Sequence, residues 1–461
     1  MIKFGTDGWR AVIADEFTFE NVKLVAQAIA IYAKRTFGKN IKMAVGFDNR
    51  FLSDKFASIT AQVIAANDIL VFLSDQSVPT PALSLAVKDN KCNLGVMITA
   101  SHNPAEFNGI KIKTSTGGAA GASITQEVEK IIPTINQKDI ILMDKKDIVI
   151  KNITKDYIKA LSLYINLKII KRAKFRILVD VMHGSGNTFL KDVLKNSHIE
   201  IDFMHDDINP SFGGMRPEPV AEYVQELLKR VKKDKFSAGF VLDGDADRLA
   251  AVTEDGEFIS PQKILGLLAL HLNEDRKLSG GIVKTIVGTT MMDNIAKGFN
   301  VKLYETPVGF KYISDLMERE DVVVGGEEAG GMGFKNYIPE RDGSLAILLL
   351  LEMMAFRNKT LKRLINDMEQ KYGRFYYLKD HFNIDGVKFN INDFKNYKNL
   401  LGKDVIDVKD SDGVRLTCSD QSWLMMRASG TEPIMRIYSE ATTQKRAKEL
   451  LNFGRELVFS K

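Results

Sequence analysis

The chain has 461 residues, which at roughly 100–200 residues per domain predicts about three or four domains. Hydrophobic residues at 45% and charged residues at 27% are ordinary for a globular protein; they exclude a disordered chain, a collagen-like chain and a membrane bundle. Lys plus Arg is 64 against 59 Asp plus Glu, a net charge of +5 that is too small to argue for a nucleic-acid partner, and no aromatic-interleaved basic patch argues for one either.

In chain order, the opening MIKFGTDGWR is polar and lacks the apolar core of a signal peptide. Val22, Val25, Ile29 and Tyr32 recur at helical spacing behind Thr18, a capping residue type, and predict a helix. Residues 41–47, 69–73 and 94–98 read as strands, each after a helix-compatible stretch, which is the alternation of α/β layers. A charged stretch at 139–151, a hairpin-like turn at Glu254-Asp255-Gly256 and the 371–374 region around Gly373 are candidate linkers. They divide the chain into 1–150, 151–255, 256–370 and 371–461. The longest apolar run, 345–356, contains Glu352 and is too short to span a bilayer, so no membrane partner is expected. Cys92 and Cys418 lie far apart and build neither a disulfide framework nor a zinc site, which predicts a cytoplasmic protein. No heptad decides the oligomeric state, leaving monomer or homodimer.

One scheme recurs: a short apolar strand ends and an unusually polar, Gly-containing loop follows. Strand 94–98 leads into TASHNP, 238–242 into DGDADR, 321–324 into GGEEAGG and 423–427 into ASGTEP. Ligands of α/β sheets sit beyond the carboxyl ends of strands, so four such loops suggest one shared site. In DGDADR, alternating Asp243, Asp245 and Asp247 put carboxylates on one side of an extended loop, hard donors suited to Mg²⁺ or Ca²⁺. An EF-hand is excluded, because Arg248 holds the sixth position, where Gly is needed, and a strand leads in. Arg248 can orient the aspartates or reach a phosphate. TASHNP sets Ser101 beside His102; adjacent residues rarely point the same way, and no GxSxG occurs, so a hydrolytic pair is disfavoured. A serine can instead carry phosphate next to a divalent cation, against the bland alternative of a helix cap or loop hydrogen bond. ASGTEP offers Ser429, Thr431, the glycine amide of Gly430 and the fork of Arg427 as an anion cradle, with a polar turn as the alternative. Glu327 and Glu328, in a flexible loop without apolar neighbours, can accept hydrogen bonds from sugar hydroxyls or be a solvated acidic turn. His183 in MHGSGN and the FGGMRPEP segment (212–219) read as structural.

Together, from FGTDGWR to RASGTEPIMRIYSE, these motifs resemble the α-D-phosphohexomutase superfamily over nearly the whole chain, closest to a prokaryotic phosphoglucomutase-like branch. The resemblance implies an α/β fold: three related αβα domains with mixed sheets, plus a smaller C-terminal α+β domain like the TATA-box-binding protein, around a central cleft. It implies an isomerase that interconverts hexose 1-phosphate and 6-phosphate, here glucose, through a phosphoserine, with Mg²⁺ as cofactor and a hexose 1,6-bisphosphate as activator. Phosphomannomutase and phosphoglucosamine mutase are the alternatives within the class, and a non-catalytic sugar-phosphate-binding protein is the alternative outside it. By motif, Ser101 would be the phosphoserine, with His102, Lys111 of NGIK and Arg10 of GTDGWR beside it. Asp243, Asp245, Asp247 and a Ser101 phosphate oxygen would hold Mg²⁺. Glu327 and Glu328 would meet the sugar, and Arg248, Arg427, Ser429, Gly430 and Thr431 would meet phosphate. The sugar loop departs from the common G-E-x-S-G-H pattern: Ala329 lacks the hydroxyl and Gly331 lacks the imidazole.

Overall fold

The computed structural model describes residues 2–144, 148–186, 189–385, 387, 389–428 and 433–459. The chain divides into two compact units, one of residues 1–279 with 309–364 and one of residues 280–308 with 365–461.

The first unit begins with a mixed six-stranded sheet, ordered Trp9–Val12, Phe107–Thr114, Leu94–Ile98, Lys42–Phe47, Leu70–Ser74 and Val149–Lys151. The predicted helix is Phe19–Phe37, and Thr18 caps it by accepting a hydrogen bond from the Asn21 amide. Its apolar stripe of Val22, Ala26 and Ile29 joins one buried core with Met43, Val45, Val96 and Ile98 of the sheet. The last three residues of the charged stretch 139–151 belong to this sheet, running parallel to Leu70–Ser74. A second mixed sheet follows the same plan, ordered Phe258–Ile259, Leu249–Val252, Ala238–Leu242, Arg176–Asp180 and Glu200–Met204. Later in the unit, Val322–Gly326 pairs antiparallel with Met332–Phe334.

Each of these three segments repeats one device. A fully buried strand (Leu94–Ile98, Ala238–Leu242 or Val322–Gly326) runs into a polar loop, and an antiparallel strand returns beside it. The loops are therefore strand-to-strand turns and not the strand-to-helix turns of a doubly wound sheet, so Ser101 does not cap a helix.

The apolar run 345–356 forms the helix Gly343–Arg357, buried on every side over Leu345–Met354, and no helix among the described residues is long and apolar enough to cross a membrane. Asp342 caps it, its Oδ1 accepting from the Leu345 amide (2.8 Å) and the Tyr157 hydroxyl (2.9 Å). Desolvation pushes the Asp342 carboxyl up to about 7, with those hydrogen bonds opposing. The unfolded value is near 3.9, so between about pH 4 and pH 7 the folded protein holds a proton that the unfolded chain has lost, and stability falls as pH rises through that window. Asp342→Asn keeps an acceptor at the cap and never ionises. It is expected to remove ~2–4 kcal/mol of that fall, read from urea midpoints at pH 4.5 and pH 8. Parallel pH curves for the two proteins would remove Asp342 as the cause.

In the second unit, Gly281–Thr285 pairs parallel with Leu303–Thr306. An all-antiparallel six-stranded sheet, ordered Tyr376–Asn383, Ile434–Ala441, Trp423–Ala428, Val414–Cys418, Lys403–Lys409 and Asn399–Leu400, carries the helix Gln444–Phe459. Leu416, Leu424, Met426, Ile437 and Leu450 form its core, while Ile286 and Val287 pack with Trp423, Met425 and Tyr438.

Candidate active site

Ser101 follows the buried strand Leu94–Ile98, is itself fully buried, and has a left-handed backbone (φ 51°). Its hydroxyl donates to Asp243 Oδ2 at 2.7 Å, and His102 Nδ1 lies 3.3 Å from the same hydroxyl oxygen. On the returning strand, residues alternate between faces. Ile110 and Ile112 enter the apolar core, while Lys111 and Lys113 both point the other way and are both buried. Lys113 pairs with Glu340. Lys111 Nζ lies 2.8 Å from Asp245 Oδ2, 3.0 Å from Asp247 Oδ2 and 2.9 Å from Asp7 Oδ2. Arg10 donates to Asn103 Oδ1 (2.7 Å) in the serine loop and pairs with Asp7 (3.1 Å).

The DGDADR loop is not extended, as its alternating aspartates suggest. It is a tight turn with Ala246 in the left-handed region, folded around Asp243 Oδ1, which accepts from the amides of Asp247 (3.0 Å) and Arg248 (3.1 Å). This curl, rather than alternation, brings Asp243, Asp245 and Asp247 together, with one oxygen from each within 4.8 Å of the others. Thr80 donates to Asp245 Oδ2 at 2.5 Å. Asp245 Oδ1 and Asp247 Oδ1 are buried without a hydrogen-bond partner. Buried, unsatisfied carboxylate oxygens in a like-charge cluster are what a hard divalent cation relieves, so the residues fit Mg²⁺ or Ca²⁺.

Desolvation, then the charges of Asp247 and Asp245, raise the Asp243 carboxyl well above its ordinary range. Asp245 is also desolvated, but Lys111 and the hydroxyl of Thr80 outweigh that and hold it below the usual carboxylate range. Burial and the surrounding Arg248, Arg10, Lys111 and Arg50 depress His102, leaving a neutral imidazole. Arg248 Nε stands 4.0 Å from Asp243 and 3.9 Å from Asp247.

The GGEEAGG turn is stitched to DGDADR backbone to backbone, through the Leu249 amide on the Gly330 carbonyl (3.1 Å) and a bridge between Arg248 and Gly331. Glu327 is buried, not in a loop free of neighbours; desolvation lifts its carboxyl to about 7 against the pull of Arg341. Glu328 is half-buried beside it.

Sequence reading missed Asp7, Thr80 and Arg341. Arg341 is buried and reaches Asp247 Oδ2 (2.7 Å), Asp7 Oδ2 (2.8 Å) and Glu327 Oε2 (3.4 Å). A Cβ on Gly331 would lie 2.1 Å from Arg341 Cδ. A side chain at 331 would therefore collide with Arg341, and the glycine leaves that volume to it. The sequence signal was IPERDG, whose charged residues stand just before the longest apolar run.

Arg427 belongs to the second unit, in the strand Trp423–Ala428, with its Nε 2.8 Å from Asp412 Oδ1. Ser429, Gly430 and Thr431 lie outside the described residues.

Comparison with known proteins gives four matched segments. Residues 1–139, 155–256 and 260–372 match the models of the phosphoglucomutase/phosphomannomutase α/β/α domains I, II and III, and residues 378–456 match the C-terminal domain of that family. A phosphoglucomutase/phosphomannomutase of Thermococcus kodakarensis is 29% identical over 99% of this chain and 98% of its own length. A phosphoglucosamine/phosphogalactosamine mutase of Sulfurisphaera tokodaii is 27% identical over 99% of each chain. Among solved structures, a provisionally assigned phosphomannomutase of Thermus thermophilus aligns with a TM-score of 0.89 and 32% identity, covering 99% of both chains.

Proposed function

The chain belongs to the phosphoglucomutase/phosphomannomutase family, whose members are isomerases, and from that premise we propose that it interconverts the 1- and 6-phosphates of glucose through a phosphoester on Ser101. The observation that carries this reading is the contact of the Ser101 hydroxyl with Asp243, at the edge of the buried carboxylate cluster. Phosphoserine would pass its phosphoryl group to the free hydroxyl of the hexose monophosphate. The bisphosphate so formed would return its other phosphoryl group to Ser101. Hexose 1,6-bisphosphate would also load the serine initially, which makes it the activator.

Phosphoryl transfer asks the protein for positioning and charge neutralisation more than for covalent help. Asp243, Asp245 and Asp247 would hold Mg²⁺, which when bound supplies positive charge to the phosphoryl oxygens. Lys111 and Arg10 gather further positive charge on the same side of the loop. His102, held neutral by burial and its cationic neighbours, can accept the Ser101 proton, becoming an imidazolium as it does so, and can return it. Glu327, held by Arg341, would accept hydrogen bonds from sugar hydroxyls, with Glu328 next to it. Arg248 and Arg427, with Ser429, Gly430 and Thr431, would bind phosphate.

We read four domains, with limits near 150, 255 and 370; the spans of the four family matches support them. Buried, unpaired Cys92 and Cys418 support a cytoplasmic setting.

A second reading, glucosamine phosphate as substrate, is favoured by relatives of that name, such as the phosphoglucosamine mutase of Campylobacter curvus at 27% identity. A coupled assay with glucose, mannose and glucosamine phosphates, Mg²⁺ and the bisphosphate separates the readings. Glucose is expected to show the highest kcat/KM. Preference for glucosamine would install the second reading, and turnover of none of them would sink both.

A further inference from the structure

The strand Lys42–Phe47 is followed at once by three consecutive polar residues, Asp48, Asn49 and Arg50, all of them buried. None lies in the loops that carry Ser101, the aspartates or Glu327. Burying three such residues in a row at a strand end has no apolar rationale, so the question is what each one holds.

Arg50 holds the serine loop. Its Nη2 donates to the carbonyls of Ser101 (2.6 Å) and Asn103 (2.6 Å), and its Nη1 donates to those of Pro104 (2.7 Å) and Phe107 (2.9 Å). Each terminal nitrogen carries two hydrogens, so four donors meet four carbonyls, three in the serine loop and one at the first residue of the returning strand. Asp48 steadies the same loop from its other end. It accepts from the Thr99 hydroxyl (2.5 Å), and that hydroxyl in turn accepts from the Ser101 amide (2.8 Å). Asp48 also lies 3.3 Å from Arg50 Nε, and neither side chain is exposed. Asn49 donates to the carbonyls of His183 (3.0 Å) and Gly184 (2.8 Å), tying the strand end to the segment beside the aspartate loop.

The other face of the guanidinium lies 4.8 Å from the centre of the Phe212 ring. That ring opens the FGGMRPEP segment, whose Pro217 packs where a Cβ on Gly244 would go. The same Cβ would lie 2.5 Å from the Ser101 carbonyl, so Gly244 lets the two loops touch.

We propose that Arg50 is the positioning residue for Ser101: it fixes the left-handed backbone that aims the serine hydroxyl at Asp243, and Phe212 braces it from the aspartate-bearing side. Arg50 does not touch the hydroxyl, and among the described residues its side-chain hydrogen-bond, ion-pair and ring partners are those four carbonyls, Asp48 and the Phe212 ring. The role rests on the reading of Ser101 as the phosphoryl carrier. Lysine cannot replace it, since one ammonium has three donors radiating from a single point and cannot span four carbonyls. A misplacement of about 1 Å at a reacting centre costs about 100-fold in rate.

The test compares Arg50→Lys with wild type in two measurements: the rate of phosphoryl uptake on Ser101 from glucose 1,6-bisphosphate, followed by intact mass, and the separate kcat and KM for glucose 1-phosphate. The expected result is a fall of about 100-fold in both uptake rate and kcat, with KM within about twofold of wild type. Phe212→Leu, which keeps all four hydrogen bonds but removes the brace, is expected to lower kcat by about 3- to 10-fold with the same unchanged KM. It carries the test if Arg50→Lys does not fold. A folded Arg50→Lys with wild-type uptake, or a loss confined to KM, overturns the role. A wild type that takes up no phosphoryl group on Ser101 sinks the functional reading and this role together, so the two failures are told apart.

Discussion

Ser101→Ala is expected to lower mutase turnover by at least about 10⁴-fold and to abolish the gain of one phosphoryl mass after incubation with glucose 1,6-bisphosphate. The size of the effect follows from what is lost. Neutralising charge and orienting the hexose remain possible without the hydroxyl, but the group proposed as first donor and then acceptor of the phosphoryl is gone. The fold should tolerate the change. Ser101 makes its side-chain contacts to Asp243 and His102, while its amide and carbonyl keep their bonds to Thr99 and Arg50. Alanine adopts a left-handed φ less readily than glycine, and serine already bears that strain here, so the substitution adds little. Circular dichroism and thermal melting should match wild type. Phosphoryl uptake that persists in Ser101→Ala would place the carrier elsewhere and remove the central element of the proposal.

The second large effect is expected from Asp245→Asn. Asp245 uses Oδ2 for Lys111 and Thr80 and keeps Oδ1 buried without a partner. An asparagine there would lose the charge and turn one of the two oxygens into a donor, in a pocket that already holds the Lys111 ammonium. We expect Mg²⁺ affinity to fall by about 100-fold or more, measured by calorimetry on the free protein, with kcat falling by a similar factor at fixed Mg²⁺. Calorimetry without substrate separates the metal from the chemistry. Unchanged Mg²⁺ affinity would take Asp245 out of the cation site, whatever happened to the rate.

Much of this site is readable residue by residue. Thr18 before a 3.6-residue apolar repeat names a capped helix, and 94–98 and 238–242 name buried strands because short apolar runs stop abruptly at polar glycine-containing segments. Ser101 and the three aspartates stand out for the same reason: they break the local pattern; Lys111 is reached only through the family resemblance of NGIK. Arg341 and Arg50 do not stand out. Each is a charged residue in a polar stretch, and hydropathy places such residues in water.

The local order of the chain was enough to name the strands, the first helix, the polar loops and the residue types able to bind a cation and a phosphoryl group, because those signals depend on neighbours a few positions apart. Which charges are buried, and against what, was settled by folding alone. Lys111 meets Asp245 across 134 positions and Arg341 meets Asp7 across 334, and each pairing exists because strand register and loop curvature carry both partners out of solvent together. Arg341 beside Gly331 is the plainest case: its side chain lies where a Cβ at 331 would go, and only packing decides which group occupies that volume.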